Sequence, residues 1–308
     1  MYFVFMQTNK DKLEIACSKL RPLTSLNQDE YDSLLEKFDL LMTKKVSLCN
    51  LKGEYRLFKQ EKEHGSSSLY GSRIKLAFIL MYLKENPNQS YHGAFFGMSQ
   101  SKVSEWVSYI LPVLEEALIK MKVMPQTGTD FIEEDIQSTC LLVDVTERQV
   151  PRDVDYENQK EAYSGKKKLH TTKNLAITDE HARLLFVSES EYGSVHDKSI
   201  WDSISFTFKD KNLLADLGFV GIDKDNLNVI LPYKKPKNGE LTALQKEINH
   251  KIGALRVRVE HAFSGVKRLK IIREKVRLKT YEVRDQVFRI AAALHNLRVE
   301  FRTVQKFS

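Results

Sequence analysis

The 308-residue chain is long enough for two domains, and its 42% of hydrophobic residues can fill real cores. Its three cysteines, Cys17, Cys49 and Cys140, have no paired spacing, which excludes a disulfide framework and a zinc knuckle and indicates a reducing compartment. No apolar run has membrane-spanning length, and the apolar start Met1–Met6 is short and has no basic leader, so we expect neither a signal peptide nor a membrane anchor.

The net charge of +7 is unevenly distributed along the chain. Residues 1–136 carry 17 Lys and Arg against 18 Asp and Glu, whereas residues 137–308 carry 31 against 23. The excess positive charge therefore lies in the C-terminal part. A basic surface gathers polyanions such as nucleic acids, so we expect an acidic partner there.

The first predicted element is an amphipathic helix that begins after Asn27. Asn27 and Glu30 have the spacing of a capping box, and the apolar residues from Tyr31 to Met42 recur at helical spacing. We interpret this helix as a packing element. The polar stretch Leu51–Ser68 ends in Gly65–Ser68, which predicts a loop.

A three-helix pattern near residues 73–118 follows the layout of a helix-turn-helix. The predicted helices are Arg73–Lys84, Ser90–Phe96 and Gln100–Leu111. Pro87 ends the first helix, Gly97 supplies the turn, and Ser99 is a good N-cap for the third. A short helix, a glycine turn and a capped second helix is the arrangement that places a recognition helix in a DNA groove.

The first turn of the third helix carries side chains that can reach base edges or phosphates. These are Gln100, Ser101, Lys102 and Glu105. We expect this turn to read DNA. An ordinary helical hairpin stays open as an alternative, because the surrounding residues are close to neutral in charge.

Past Met121 the helical pattern breaks into a polar stretch with proline and glycine, followed by an acidic cluster. We place the domain boundary here. The predicted domains are an all-α DNA-binding domain over 1–125, a linker over 126–136 and an α/β domain over 137–308.

Asp144 interrupts the apolar run Cys140–Thr146, which predicts a strand buried on both faces. A buried carboxylate must be neutralised, hydrogen-bonded or bound to a cation, so its presence indicates a special site. A partly solvated acid at a strand end is the alternative. Two later acids could reach the same site as Asp144. Asp216 follows a short apolar strand, and Glu260 lies on a long helix.

The order of elements in this part predicts a ribonuclease H-like α/β fold with a mixed sheet, preceded by the all-α helix-turn-helix domain. The elements are a strand around Asp144, strands Leu169–Ile177 and Ala182–Glu189, a helix that opens at Gly193–Asp197, a short strand ending at Asp216, the apolar stretch Val229–Pro232 and a helix from Thr242 to about Lys270. Carboxylates on the first strand, after the fourth and on the late helix are typical of that fold.

The late helix is predicted to pack by one apolar stripe. The stripe consists of Ile252, Leu255, Val259, Ala262, Phe263, Val266 and Leu269. Glu260 lies beside it, and we expect its side chain to point at the sheet edge. The alternative is a surface ion pair with Arg256, one turn earlier.

Six short motifs carry a resemblance to a known family. They are Val143–Glu147; Gln159 with Tyr163–Lys168 and His170-Thr171; Gly193-Ser194 with His196-Asp197; Ala215–Phe219; Leu231-Pro232 with Lys234-Lys235; and Arg256–His261. From Leu23 to Lys279 the chain resembles the DDE transposases of bacterial insertion sequences and their Harbinger-like eukaryotic relatives. Phe219 stands where this family usually has tyrosine, and Arg152, in an unusual Pro-Arg order, receives no role.

The resemblance implies that Asp144, Asp216 and Glu260 are the catalytic and metal-binding acids. Three carboxylates can hold two Mg²⁺ ions about 3.5–4 Å apart, one activating water or a DNA 3′-hydroxyl and the other stabilising the leaving oxygen. Mg²⁺ suits an all-oxygen site, and Mn²⁺ can substitute for it. The implied function is a transposase that cuts DNA at transposon ends and joins the freed strands to target DNA.

Basic side chains beside these acids are predicted to contact phosphates, although a solvated charged face is the alternative. They are Lys166, Lys167, Lys168, Lys173, Lys267, Arg268, Lys270, Arg273, Lys275, Arg277 and Lys279. His170, His196 and His261 could order the carboxylates or bind phosphate, but a lone histidine is more often structural. Asp197 either caps the helix that follows it or assists the site.

The expected partners are transposon-end DNA and target DNA, with no membrane, and a homodimer or higher oligomer on DNA. The expected compartment is the bacterial cytoplasm, at the nucleoid, or the nucleus of a eukaryote. A catalytically silent, domesticated transposase that binds DNA or a protein stays open, although the presence of all three acids favours the enzyme. The helical N-terminal domain disfavours a junction-resolving or repair nuclease.

Overall fold

The computed structural model describes residues 20–64, 67–132, 138–207, 211–222, 227–275, 277–278 and 280–307. The chain divides into two compact units, residues 1–124 with 268–271, and residues 125–267 with 272–308. The predicted domains, 1–125 and 137–308 with a linker over 126–136, stay a prediction. Parts of the predicted loop at Gly65–Ser68 and of the predicted linker lie outside the described residues. None of the described helices combines the length and apolarity that a membrane crossing requires.

The first unit is helical. Its main helices are α1 (Leu20–Thr24), α2 (Gln28–Leu48), α3 (Ser72–Glu85), α4 (Gln89–Phe96) and α5 (Gln100–Lys120). The capping box before α2 is confirmed, since Asn27 Oδ1 accepts from the Glu30 N–H at 2.9 Å and Glu30 Oε2 accepts from the Asn27 N–H at 2.8 Å.

The helix-turn-helix consists of α4 and α5. Gly97 ends α4 in the left-handed region, at φ 68°, and Ser99 Oγ accepts from the Lys102 N–H at 3.3 Å to cap α5. A Cβ on Gly93 would lie 2.5 Å from the Met98 carbonyl oxygen, so glycine permits this close turn. Trp106 and Ile110 are buried on the inner face of α5, as predicted.

Helix α5 is longer than predicted. It continues through Pro112 to Lys120, whereas the sequence indicated an end at Leu111. Pro112 and Ser108, whose carbonyl loses its helical partner, are both exposed, so water can satisfy that carbonyl. Apolar residues buried on both sides of the proline, including Leu111 and Leu114, hold the helix together by packing.

The rest of the chain forms a mixed α/β structure. Its strands are β1 (Asp130–Ile132), β2 (Cys140–Gln149), β3 (Tyr163–Ser164), β4 (Leu169–Thr178), β5 (Leu184–Val187), β6 (Glu191–Tyr192), β7 (Ser205–Thr207), β8 (Lys211–Leu214) and β9 (Leu227–Ile230). Its helices are α6 (Tyr156–Ala162), α7 (Asp197–Asp202), α8 (Ala243–Val266) and α10 (Tyr281–Phe307), with a 3₁₀ turn at Leu217–Phe219. The short helix α9 (Lys270–Arg273) belongs in part to the first unit.

The main sheet has the strand order β3-β4-β2-β8-β9, with β5 and β6 also paired to β4. Strand β2 pairs antiparallel with β4 and parallel with β8, which pairs parallel with β9. Strands β1 and β7 form a separate two-stranded parallel sheet. The mixed sheet and the preceding helical unit confirm the predicted fold class.

Helices cover both faces of the sheet. On one face Leu141 and Val143 of β2 join a buried cluster with Trp201 of α7 and Phe219 of the 3₁₀ turn. The alternate residues of β2, which include Asp144, face α8 on the other side. Strand β2 is therefore buried on both faces, as its apolar run predicts.

Helix α8 corrects two expectations. The helix ends at Val266, so the predicted end near Lys270 was too late. Leu255, assigned to the apolar stripe, is 48% exposed, because only the C-terminal half of α8 packs continuously on the sheet. Val259 and Phe263 are buried as predicted.

Candidate active site

The register of two parallel strands brings Asp144 and Asp216 together. The pairing of β2 with β8 ends at Leu142 opposite Leu214. Each aspartate lies two residues beyond its leucine, so both acids stand at the same level at the carboxyl end of β8. The two-residue step also places both on the sheet face that α8 covers.

The pKa of Asp144 is strongly perturbed. Burial is the main reason why its pKa is raised to about 6. The backbone N–H of Val145, which donates to Asp144 Oδ1 at 2.8 Å, lowers the pKa, as does the Arg256 guanidinium. The carboxylates of Asp216 and Asp197 raise it. Asp144 is therefore a largely buried carboxylate within electrostatic range of two other acids.

Asp216 begins the 3₁₀ turn and accepts a hydrogen bond from the Gly218 N–H at 2.8 Å. A Cβ on Gly218 would lie 2.9 Å from Asp216 Oδ1 and 3.3 Å from Asp197 Oδ2. The two carboxylate oxygens thus approach the same side of Gly218, where any side chain would crowd them. Glycine is required here for close approach of these acids.

Asp197 is held by a buried lysine. Lys173 Nζ donates to Asp197 Oδ1 at 2.9 Å and to the Val195 carbonyl oxygen at 2.7 Å. The expectation that Lys173 contacts phosphates is therefore wrong, because its ammonium lies inside the protein. His196, not Asp197, caps α7, since His196 Nδ1 accepts from the Lys198 N–H at 3.3 Å. The other alternative, that Asp197 assists the site, stays a prediction.

Glu260 is not brought into contact with the two aspartates. Its side chain is exposed, and no ion pair joins it to Arg256 within the described residues. The expectation that it points at the sheet edge stays a prediction. Glu260 nevertheless lies on the same side of α8 as Arg256 and as Lys267, the residue that caps the end of the helix. Both of these cations interact electrostatically with Asp144. Glu260 lies between them along the helix.

No group of three His, Cys, Asp or Glu side chains in the described part of the chain is arranged to hold a metal ion. Asp144 and Asp216 alone still have the chemistry of a divalent-cation site. Their oxygens suit a hard cation, and a cation would offset both the burial of Asp144 and the repulsion between the acids.

Two predicted basic groups meet near the acids. Lys166, Lys167 and Lys168 are exposed in the turn between β3 and β4. Lys267 lies 5.9 Å over the Phe263 ring, and its pKa is lowered by burial and by Lys167, while Asp144 raises it. Lys267 is therefore within electrostatic range of both Lys167 and Asp144.

The remaining basic residues differ in availability. Arg268 is exposed, whereas the Lys270 ammonium is paired with Glu85. The exposed residues Arg273, Lys275 and Arg277 follow, and Lys279 lies outside the described residues. Of the histidines, His170 packs its ring against Tyr163, His196 caps a helix and His261 is exposed.

The predicted recognition turn is at the surface. Gln100, Ser101 and Lys102 are all exposed at the start of α5. Gln100 Nε2 donates to Gln89 Oε1 at 2.6 Å, and Lys102 forms an exposed ion pair with Glu105 at 2.9 Å. Exposed pairs of this kind are weak and can exchange for a ligand.

Sequence reasoning missed the Lys173–Asp197 pair and the role of Gly218. The sequence carries no signal for the first, because the residues around Lys173, from His170 to Asn174, are polar, and only the structure shows that the strand is buried from Thr171 to Thr178. A lysine in such a strand requires an acidic or carbonyl partner.

Comparison with known proteins gives the family. Residues 143–296 match the DDE superfamily endonuclease family, and residues 68–119 match the helix-turn-helix of DDE superfamily endonuclease. A probable transposase for insertion sequence element IS702 from Microchaete diplosiphon is 26% identical over 221 residues, which cover 71% of this chain and 78% of that protein. No solved structure matches the chain.

The endonuclease match spans half of the chain and includes Asp144, Asp216 and Glu260. Members of this superfamily generally use divalent metal ions, and the helix-turn-helix implies DNA binding. The resemblance inferred from the motifs is thereby confirmed: the chain belongs to the DDE superfamily endonucleases and carries their helix-turn-helix ahead of the endonuclease domain.

Proposed function

We propose that the chain is a transposase that cleaves DNA strands at transposon ends and transfers the freed 3′-hydroxyl ends into target DNA. The observation that carries this proposal is the Asp144–Asp216 pair, at the level where two adjacent parallel strands stop pairing. The similarity to a probable insertion-sequence transposase supports it.

Asp144, Asp216 and Glu260 are the proposed ligands of Mg²⁺, for which Mn²⁺ can substitute. Ions held by these carboxylates would supply the activation of a water or 3′-hydroxyl and the stabilisation of the leaving oxygen. The position of Asp144 and Asp216 at the same level of adjacent strands supports their shared role. Glu260 is exposed, and its place on α8 between Arg256 and Lys267, both acting on Asp144, supports its recruitment by a change of rotamer.

The basic side chains near the acids are proposed to bind the phosphate backbone of DNA. Lys166, Lys167 and Lys168, with Lys267, Arg268 and Lys270, are proposed to bind phosphates without regard to sequence. Lys270 must leave Glu85 to do so, which makes it the weakest member of this set. Gln100, Ser101 and Lys102 are proposed to reach base edges at the transposon ends.

The proposed assembly is a homodimer or higher oligomer on DNA, because transposition joins two ends in one complex. The proposed place of action is the nucleoid of a bacterium or the nucleus of a eukaryote. Residues 1–125 and 137–308 are proposed as the end-binding and catalytic domains, joined by a linker over 126–136.

A strand-cleavage assay tests the proposal. Labelled DNA that contains the inverted repeats flanking the gene is incubated with the full chain and Mg²⁺ or Mn²⁺, and nicks and joined products are mapped. Glu260→Gln should abolish both products, whereas Glu247→Gln, at an exposed position of the same helix, should not. If the wild-type chain binds the ends specifically but cuts no strand, the proposal of an enzyme is overturned in favour of a catalytically silent DNA-binding protein.

A further inference from the structure

We propose that Lys173 and Asp197 are positioning residues that hold the turn carrying Asp216, an inference that rests on the proposed function of Asp216 as a metal ligand. The pair is largely buried, with 11% of the Lys173 side chain and 26% of the Asp197 side chain exposed. Neither residue belongs to the family's set of three acids.

The lysine fastens helix α7 to the sheet. Lys173 belongs to β4, and its ammonium reaches the Val195 carbonyl oxygen and Asp197 Oδ1, just before and at the start of α7. The adjoining His196 caps the same helix end. Two charge-assisted or polar bonds from one buried ammonium therefore fix where α7 begins.

Helix α7 in turn supports the Asp216 turn over its whole length. At its start Asp197 Oδ2 lies against Gly218, 3.3 Å from the place of a Cβ. At its end the Trp201 ring packs edge-on against Phe219, with 6.4 Å between the ring centroids. Moving the start of α7 would therefore move Gly218, whose N–H orients the Asp216 carboxylate at 2.8 Å.

The charge of Lys173 has its own consequence. Without it, Asp197 would be an uncompensated carboxylate next to Asp216 and within electrostatic range of Asp144. Repulsion between like charges would then favour a displacement of Asp197 away from Gly218 and the Asp216 turn. The ammonium therefore supplies the counter-charge that keeps Asp197 in place against Gly218.

Three variants of the full chain test this: Lys173→Met, Asp197→Asn and both together. Asp202→Asn is the matched control, because Asp202 is on the same short helix and is also paired with a lysine, Lys198, at 2.5 Å. Mn²⁺ affinity is measured by calorimetry without DNA, and hydrogen–deuterium exchange is followed in the peptide covering residues 211–222. Thermal melts without metal confirm folding, and Lys173→Arg serves where Lys173→Met fails to fold.

Each single variant should weaken Mn²⁺ binding about 10–100-fold, as loss of a group that orients a metal ligand typically does. The double variant should be no weaker than the worse single, because both substitutions break one interaction. Exchange at residues 211–222 should speed up in these variants and not in Asp202→Asn. Lys173→Arg, which keeps the charge and donors, should lie closer to wild type than Lys173→Met.

Wild-type Mn²⁺ affinity and wild-type exchange in Asp197→Asn would overturn the inference. Tighter Mn²⁺ binding by Lys173→Met would also overturn it, because Asp197 would then be a ligand that the lysine blocks. If the wild-type chain binds no Mn²⁺, the proposed metal site fails instead. The exchange comparison then still decides whether Lys173 and Asp197 hold the turn.

Discussion

Arg148 Nη2 lies 3.5 Å from Asp285 Oδ1, and this buried ion pair ties strand β2 to helix α10. Arg148 is 2% exposed and also donates to Asn174 Oδ1 at 2.8 Å and to Ser190 Oγ at 2.7 Å. Burial lowers the pKa of Arg148 to about 10, while Asp285 raises it. The network fixes the strand that carries Asp144, four residues earlier on the same face.

Asp285→Ala should therefore destabilise the protein strongly. Removal of one partner leaves the guanidinium buried without its counter-charge, which typically costs about 3–5 kcal/mol of unfolding free energy. Urea unfolding of the metal-free chain measures it, with Glu282→Ala, at an exposed position of the same helix, as control. Equal destabilisation of the two variants would show that the pair contributes nothing specific.

Helix α10 also shows where sequence reasoning stopped. The resemblance ended at Lys279, and Tyr281–Phe307 was not predicted as a helix although it is the longest described helix. Its inward face mixes apolar residues with buried polar ones, so no clean apolar stripe is visible. Asn296, for example, exchanges two hydrogen bonds of 2.8 Å with the backbone of Leu184, a partner that only the folded sheet supplies.

The site was predictable to the extent that local pattern controls it. The buried strand around Asp144 and the acid after β8 follow from apolar runs, and the parallel register then brings Asp216 to the same level. The exposure of Glu260 was not predictable, since the helical stripe gives its angle but not its rotamer. Lys173 was misread as a phosphate ligand because burial, not charge, decides its role.

His92 should make the stability of the helical unit depend on pH. Burial lowers its pKa to about 4, and its ring nitrogen Nε2 lies 3.2 Å from the Phe78 carbonyl oxygen. The unfolded state therefore binds a proton more readily than the folded state. Stability is full above the unfolded pKa of about 6.5 and falls as the pH drops from there to about 4, by about 1.4 kcal/mol per pH unit.

The measurement is urea unfolding between pH 7 and pH 4 in a Trp201→Phe background, so that Trp106 alone reports on the helical unit. His92→Gln should flatten the pH dependence over this window, and His64→Gln, at an exposed position of the same unit, should keep it. A full acid-induced destabilisation of His92→Gln would assign the effect to other groups.

The two proposed DNA-binding surfaces should contribute differently to binding. The recognition helix should provide sequence preference, and the lysine cluster should provide affinity for any DNA. Gln100→Ala with Lys102→Ala should remove the preference for transposon ends, because these side chains lie exposed at the start of the recognition helix. Neutralising Lys166, Lys167 and Lys168 should weaken binding to all DNA and reduce the slope of log affinity against log salt by about 0.9 for each phosphate that is no longer neutralised. Footprinting at two salt concentrations distinguishes these outcomes, and unchanged end protection in the Gln100/Lys102 variant would remove the recognition assignment.

The last prediction concerns the three acids as one unit. Asp144→Asn, Asp216→Asn and Glu260→Gln should each abolish strand cleavage, and the triple variant should be little worse than any single one, because members of a catalytic unit are not additive. Without metal, the two asparagine variants should melt at the wild-type temperature or above it, since each removes repulsion between Asp144 and Asp216. Glu260→Gln should leave the melting temperature unchanged, because Glu260 is exposed. Strand cleavage is measured with Mg²⁺, and the melts are measured without metal. If Glu260→Gln cleaves DNA at the wild-type rate, Glu260 is a surface residue and the proposed site of Asp144 and Asp216 has no third ligand.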